Sequence, residues 1–145
     1  MEEWIIYGLL TALLMGIFPV FFKVLANPRY LGVSTQTIAI LTWVGSGIVF
    51  VGYFLYSGEP LPKNNTAIIV GLLTGVILGL SLLFRIIAIG FGADVAKFVP
   101  LYNTNALVAV ILGIIILHEL PESSEAIRVV VGAIFIIMGG ILVSL

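Results

Sequence analysis

Five long runs of almost uninterrupted apolar residues divide the chain, at 4–26, 36–56, 66–91, 95–117 and 126–145. At a rise of about 1.5 Å per residue, roughly 20 such residues cross the ~30 Å hydrocarbon layer of a bilayer as an α-helix. A membrane β-barrel would show polar and apolar residues alternating in segments of about 10. These runs are longer and apolar on every face, so they predict helices despite their many Ile and Val residues. Turn chemistry fills each gap: Asn27, Pro28 and Gly32; then Gly58, Pro60 and Pro62; then Gly92 and Asp94; then Pro121 and Ser123. The pattern predicts an all-α membrane protein with five transmembrane helices in one transmembrane domain, 1–145. Signal peptides start basic and have an apolar stretch of only about 7–15 residues. Glu2 and Glu3 precede the first run here, which is read as a retained helix.

Composition agrees with lipid as the solvent. The chain is 61% hydrophobic and 9% charged, against about 45–50% and about 25% in soluble domains. A net charge of −1 leaves no basic footprint for nucleic acid. There is no cysteine and one histidine, so neither a metal centre nor a cofactor is expected.

With five crossings the termini lie on opposite sides, here side A (N-terminal) and side B. Side A collects six carboxylates, Glu119 among them, and two cations, Lys63 and Arg128. Side B holds Lys23, Arg29, Arg85 and Lys97 against Asp94 alone. The positive-inside rule counts Lys and Arg. It leans toward side B in the cytoplasm, so weakly that insertion in both orientations is compatible with the chain.

A few polar groups stand inside the apolar runs. Arg85 lies six residues from the end of the third run, roughly 9 Å along the axis. Burial at a helix centre costs at least ~2.5–3.5 kcal/mol on insertion scales. Two readings fit Arg85, Lys23 and Lys97: a cationic cluster for an anionic substrate group, or snorkelling to side B headgroups, with Asp94 pairing Lys97. The fourth run carries Pro100, Tyr102, Asn103, Thr104 and Asn105. Pro100 is read as sitting near the helix start, where proline is tolerated. Tyr102, Asn103 and Asn105 can line a cavity and select a substrate, or act as interhelical polar glue. Glu119 is either a coupling carboxylate or an interface residue that ends its helix in water. Small residues repeat at four-residue spacing (Gly8, Ala12, Gly16; Gly71, Gly75, Gly79; Asn105, Ala109, Gly113) and suit close helix approach within or between chains. Asn64, Asn65 and Thr66 match a glycosylation sequon that abuts a helix.

The stretch 93–121 resembles the fourth-helix signature of the EamA-type drug/metabolite transporter superfamily. A small residue (Ala96), a basic residue (Lys97) and a proline (Pro100) open the helix, and Leu117 and Glu119 close it. Lys23 resembles a basic residue common after the first run. Gly132, Gly139 and Gly140 are similar to the family's glycine-containing last helix. His118 departs from a frequent glycine, and Asn103 stands at a variable polar position. The resemblance covers essentially the whole chain and implies one five-helix repeat, a half-size member. Most members resemble two such repeats of opposite membrane orientation.

The resemblance therefore implies a secondary transporter of a small polar metabolite or drug in the plasma membrane. It would work by alternating access as a homodimer, plausibly antiparallel, with the first four helices around the pathway. Arg85, Lys97, Tyr102, Asn103, Asn105 and Lys23 are the expected substrate contacts, and Glu119 the coupling candidate. A small dual-topology ion channel is one rival reading. A non-transporting membrane subunit, or a partner in moving a lipid carrier, is another. No serine–histidine or histidine–carboxylate set points to an enzyme.

Overall fold

A computed structural model describes residues 3–117 and 123–144, all of it helix, turn and loop. The helices are α1 (Glu3–Ala26), α2 (Thr35–Ser57), α3 (Asn65–Gly90), α4 (Val95–Tyr102), α5 (Asn105–Ile116) and α6 (Ser123–Ser144). Four stretches are long and apolar enough to span a membrane: Ile5–Ala26, Thr35–Ser57, Asn65–Gly90 and Val95–Ile116. A shorter apolar helix, Ile127–Val143, completes five.

Two compact units divide the chain. One contains α1 from Val20 onward with α2 and α3. Its buried side chains, Phe22, Ile38, Ile86 and Ile89, all lie at the ends of their helices on side B. There Thr35 Oγ1 approaches Gly90 so closely that a Cβ on that glycine would meet it at 3.1 Å. The small residue thus lets α2 and α3 touch at that end. Toward side A the two helices are exposed on every face.

The ends of these helices are set by local chemistry. Asn64 Oδ1 accepts the Thr66 N–H at 2.9 Å and caps α3. The sequon asparagine therefore has a structural task. Gly58, at φ 64°, ends α2 in the left-handed conformation, and its N–H donates to Phe54 O. Gly92, at φ 96°, turns the chain after α3, a conformation that side chains other than glycine rarely adopt.

The other unit holds α1 up to Pro19 with α4, α5 and α6. Here the sequence expectation needs correcting. The fourth run is two helices with Asn103 and Thr104 between them. Pro100 is the sixth residue of α4, not a first-turn residue. Inside a helix, proline lacks the N–H for the i−4 carbonyl and its ring crowds that carbonyl. The pattern tightens just beyond it: the N–H groups of Thr104, Ala106 and Leu107 donate to Leu101, Asn103 and Thr104, each three residues back.

α6 packs on both halves of this broken span, most closely on α4. Gly140 is buried, and a Cβ there would come within 2.9 Å of the Pro100 carbonyl oxygen and 3.3 Å of Thr104 Cγ2. The absence of a side chain is what admits the backbone of α4.

Candidate functional site

The broken span carries three consecutive polar residues, Asn103, Thr104 and Asn105, between apolar segments. Asn103 is eight residues from Val95, or ~12 Å at a helical rise, which places the break near the middle of a span about 30 Å deep. At that depth irregular backbone is tolerated only when buried in protein or facing a water-filled cavity. Thr104 takes care of its own hydroxyl, donating to Leu101 O at 2.8 Å. Its N–H, which in a regular helix would serve Pro100 O, also goes to Leu101 O, at 3.3 Å. The Pro100 carbonyl is left directed at Gly140.

Around this break the expected side chains take different environments. Tyr102 is half-buried, and its ring meets Phe98 edge-on with centroids 5.2 Å apart. Asn103 and Asn105 are exposed on either side of Thr104. Lys97 is exposed in the first turn of α4, where its N–H donates to Asp94 O at 3.1 Å.

Lys23 and Arg85 belong to the other unit. Arg85 is half-buried, next in sequence to Ile86 and one turn from Ile89, both buried. Lys23 Nζ donates to Gly92 O at 3.1 Å. An ammonium just past the last turn of α3 is favoured by the partial negative charge of the helix end. The contact ties the end of α1 to the end of α3. Glu119 lies outside the described residues.

The expected residues thus fall into two sets, Lys97, Tyr102, Asn103 and Asn105 in one unit and Lys23 and Arg85 in the other. The sequence reading named Thr104 and Gly140 but gave neither a role at the break. The signal for Thr104 was its spacing, four residues after a proline inside a span. The signal for Gly140 was the resemblance of the last helix, which it shares with Gly132 and Gly139.

A model of the EamA-like transporter family matches residues 2–145, almost the entire chain. This chain belongs to the EamA-like transporter family. Comparison with curated proteins and with solved structures finds no match. As an EamA-like protein it is a multi-pass integral membrane protein and a transporter of small solutes, not an enzyme. The break in α4–α5 is therefore a feature of a transport protein. In transporters, discontinuous helices at the midplane are where backbone groups and polar side chains become available to a solute.

Proposed function

We propose that the chain is a secondary transporter that moves a small polar metabolite or drug across the plasma membrane by alternating access. The observation that carries this reading is the polar break, Asn103-Thr104-Asn105, at mid-depth of an otherwise apolar span. Two exposed carboxamides there cost free energy in lipid and have use only against a polar partner. Asn103 and Asn105 select the solute by donating and accepting hydrogen bonds. Tyr102 adds a phenol and Lys97 attracts an anionic group, and Arg85 is the cation that the other unit contributes to substrate binding. Lys23 stands at the side B entrance, and Glu119 is the coupling carboxylate.

One repeat supplies one wall of a pathway, so the working unit is a homodimer, with the second copy inverted. The few Lys and Arg residues and their weak bias toward side B favour this arrangement. The reading places all of 1–145 in a single transmembrane domain.

Sided cysteine labelling tests the dimer, because the chain has no native cysteine. Gly32, at φ 59°, is a strained position for a reporter, so Tyr30→Cys, exposed in the same loop, reports on side B. Asn65→Cys reports on side A. Each site should be about half accessible to an impermeant reagent in intact cells. Complete protection of one and complete labelling of the other removes the inverted homodimer. Flux is tested in proteoliposomes by counterflow with a panel of labelled polar metabolites. Saturable exchange that is lost in Asn103→Ala is expected. Conductance that does not saturate would favour the channel, and no flux with any solute would favour the partner subunit.

A further inference from the structure

Thr104 stands between Asn103 and Asn105 and has no task in the transport reading. A threonine hydroxyl in a helix has two acceptors in reach, the carbonyls three and four residues back. Thr11, Thr42 and Thr74, each inside a regular helix, donate to Tyr7 O, Ile38 O and Val70 O, four residues back. Thr104 instead donates three residues back, to Leu101 O at 2.8 Å, and its N–H turns to the same oxygen. Its methyl is seated on α6, since a Cβ on Gly140 would come within 3.3 Å of Thr104 Cγ2.

Two other helices show that neither the hydroxyl nor the proline breaks a span unaided. Ser46 donates to Trp43 O, also three residues back, within the unbroken α2, which has no proline. Pro19 lies inside α1, where the residue four further on is Lys23, without a hydroxyl, and α1 remains one helix. In the fourth span the two occur together. Pro100 withholds one bond, and the Thr104 hydroxyl decides which carbonyl the next one uses.

The choice sets the angle between the two carboxamides. Asn103 has φ −66°, ψ −10° and Thr104 has φ −61°, ψ −11°, with ψ far from the value of about −42° in an α-helix. The N–H groups of Thr104, Ala106 and Leu107 all bond three residues back, a winding of about three residues per turn. In an α-helix, residues two apart are ~160° apart around the axis, on nearly opposite faces. In the tighter winding they are ~120° apart. The tight turn thus brings Asn103 and Asn105, both exposed, toward one side.

We propose that Thr104 is a positioning residue for solute selection. Its hydroxyl, held on Leu101 O, keeps the turn tight and so presents both carboxamides to one solute. A solute with neighbouring donor and acceptor groups suits such a pair. The proposal rests on the transport reading above, in which Asn103 and Asn105 contact the solute.

Thr104→Val keeps the shape of the side chain and removes the hydroxyl. A methyl cannot sit 2.8 Å from Leu101 O as the hydroxyl does, because C···O contacts run at about 3.3–3.6 Å. The N–H of residue 104 should then return to Pro100 O. Thr104→Ser should keep the present bond, as Ser46 and Ser57 both donate three residues back. In proteoliposomes, each metabolite of the labelled panel that shows counterflow in the wild type should have its KM raised about fivefold or more in Thr104→Val, the contribution of one hydrogen bond. The maximal rate should change less, and Thr104→Ser should keep KM near the wild-type value. Without solute, the Ala106 amide, the same residue in every variant, should exchange its hydrogen more slowly in Thr104→Val as the turn relaxes to regular helix. If the hydroxyl only filled space, its loss would loosen the span and quicken that exchange. Thr104→Ala, which crowds nothing, repeats both measurements should Thr104→Val not fold. The proposal is overturned by an unchanged KM in Thr104→Val, by a Thr104→Ser variant as impaired as Thr104→Val, or by Ala106 exchange that is unchanged or faster. Absence of counterflow with every metabolite in the wild type overturns the transport reading first, and this proposal with it.

Discussion

α3 and the α4–α5 span are similar in apolar content and differ in continuity. α3 runs unbroken for 26 residues and contains no proline. Its mid-helix hydroxyl residues, Thr74 and Ser81, do not interrupt it, and Thr74 donates to Val70 O at 2.9 Å within the helix. The other span carries Pro100 and then three polar residues, and it divides after eight residues. Proline removes one hydrogen bond, and Thr104 redirects its N–H and hydroxyl to Leu101 O. The comparison teaches that a break needs both a missing donor and a nearby group that reroutes the next one. It also needs cover for the released carbonyl, which Gly140 supplies here and for which α3 has no counterpart.

The largest expected effect comes from removing that cover. Gly140→Ala places a Cβ 2.9 Å from a backbone oxygen that has little room to yield. Overpacking of this kind costs about 1–3 kcal/mol, and SDS titration of the protein in micelles should show the loss in its unfolding midpoint. An unchanged midpoint would mean that α6 does not dock at the break. Pro100→Ala sharpens the comparison from the other side, because it restores the missing donor to Ala96 O. The span should then resemble α3, with the Thr104 amide exchanging at least about tenfold more slowly, equivalent to ~1.4 kcal/mol of added protection. Solute flux should fall as the break closes.

A smaller effect is expected at the side B end of α2 and α3. Gly90→Ala would meet Thr35 Oγ1 at 3.1 Å, a side-chain atom that can rotate away, so the cost should be about 0.5 kcal/mol. Thr35→Ala should cancel it, and a double-mutant cycle would measure the coupling. The smallest effect belongs to the glycine ridge of α3. At Gly75 a Cβ meets nothing, so Gly75→Ala should leave protomer stability within about 0.5 kcal/mol. A fall in cross-linked dimer in that variant would place the ridge at a subunit interface.

Much of the fold was legible in the sequence because lipid demands long apolar runs and leaves little else to decide. Turn residues such as Gly58 and Gly92 marked the helix ends for a local reason, their access to positive φ. The interruption at Asn103 and Thr104 was harder to read, since hydropathy runs through it: Val95–Ile116 still scores as one span. The polar triplet was visible, but its effect on the backbone depends on the hydrogen bond that Pro100 withholds. Lys23 could be singled out as a cation near the end of an apolar run, whereas the carbonyl it donates to lies 69 residues away in a turn. No local pattern encodes such a pairing. Gly140 shared the resemblance of the last helix with Gly132 and Gly139, and only the approach of α4 distinguishes it from those two.

The Pro100–Gly140 contact has a bearing on how the chain is made. Helices leave the ribosome in order, and α4 and α5 reach the membrane before α6 has been synthesised. During that interval the Pro100 carbonyl has lost its usual donor and has no α6 to cover it, so partition into lipid is costly. The insertion machinery should therefore retain the broken span until the final helix arrives and release the two as a pair. A nascent chain halted after α5 should cross-link to that machinery far longer than one extended through Gly140.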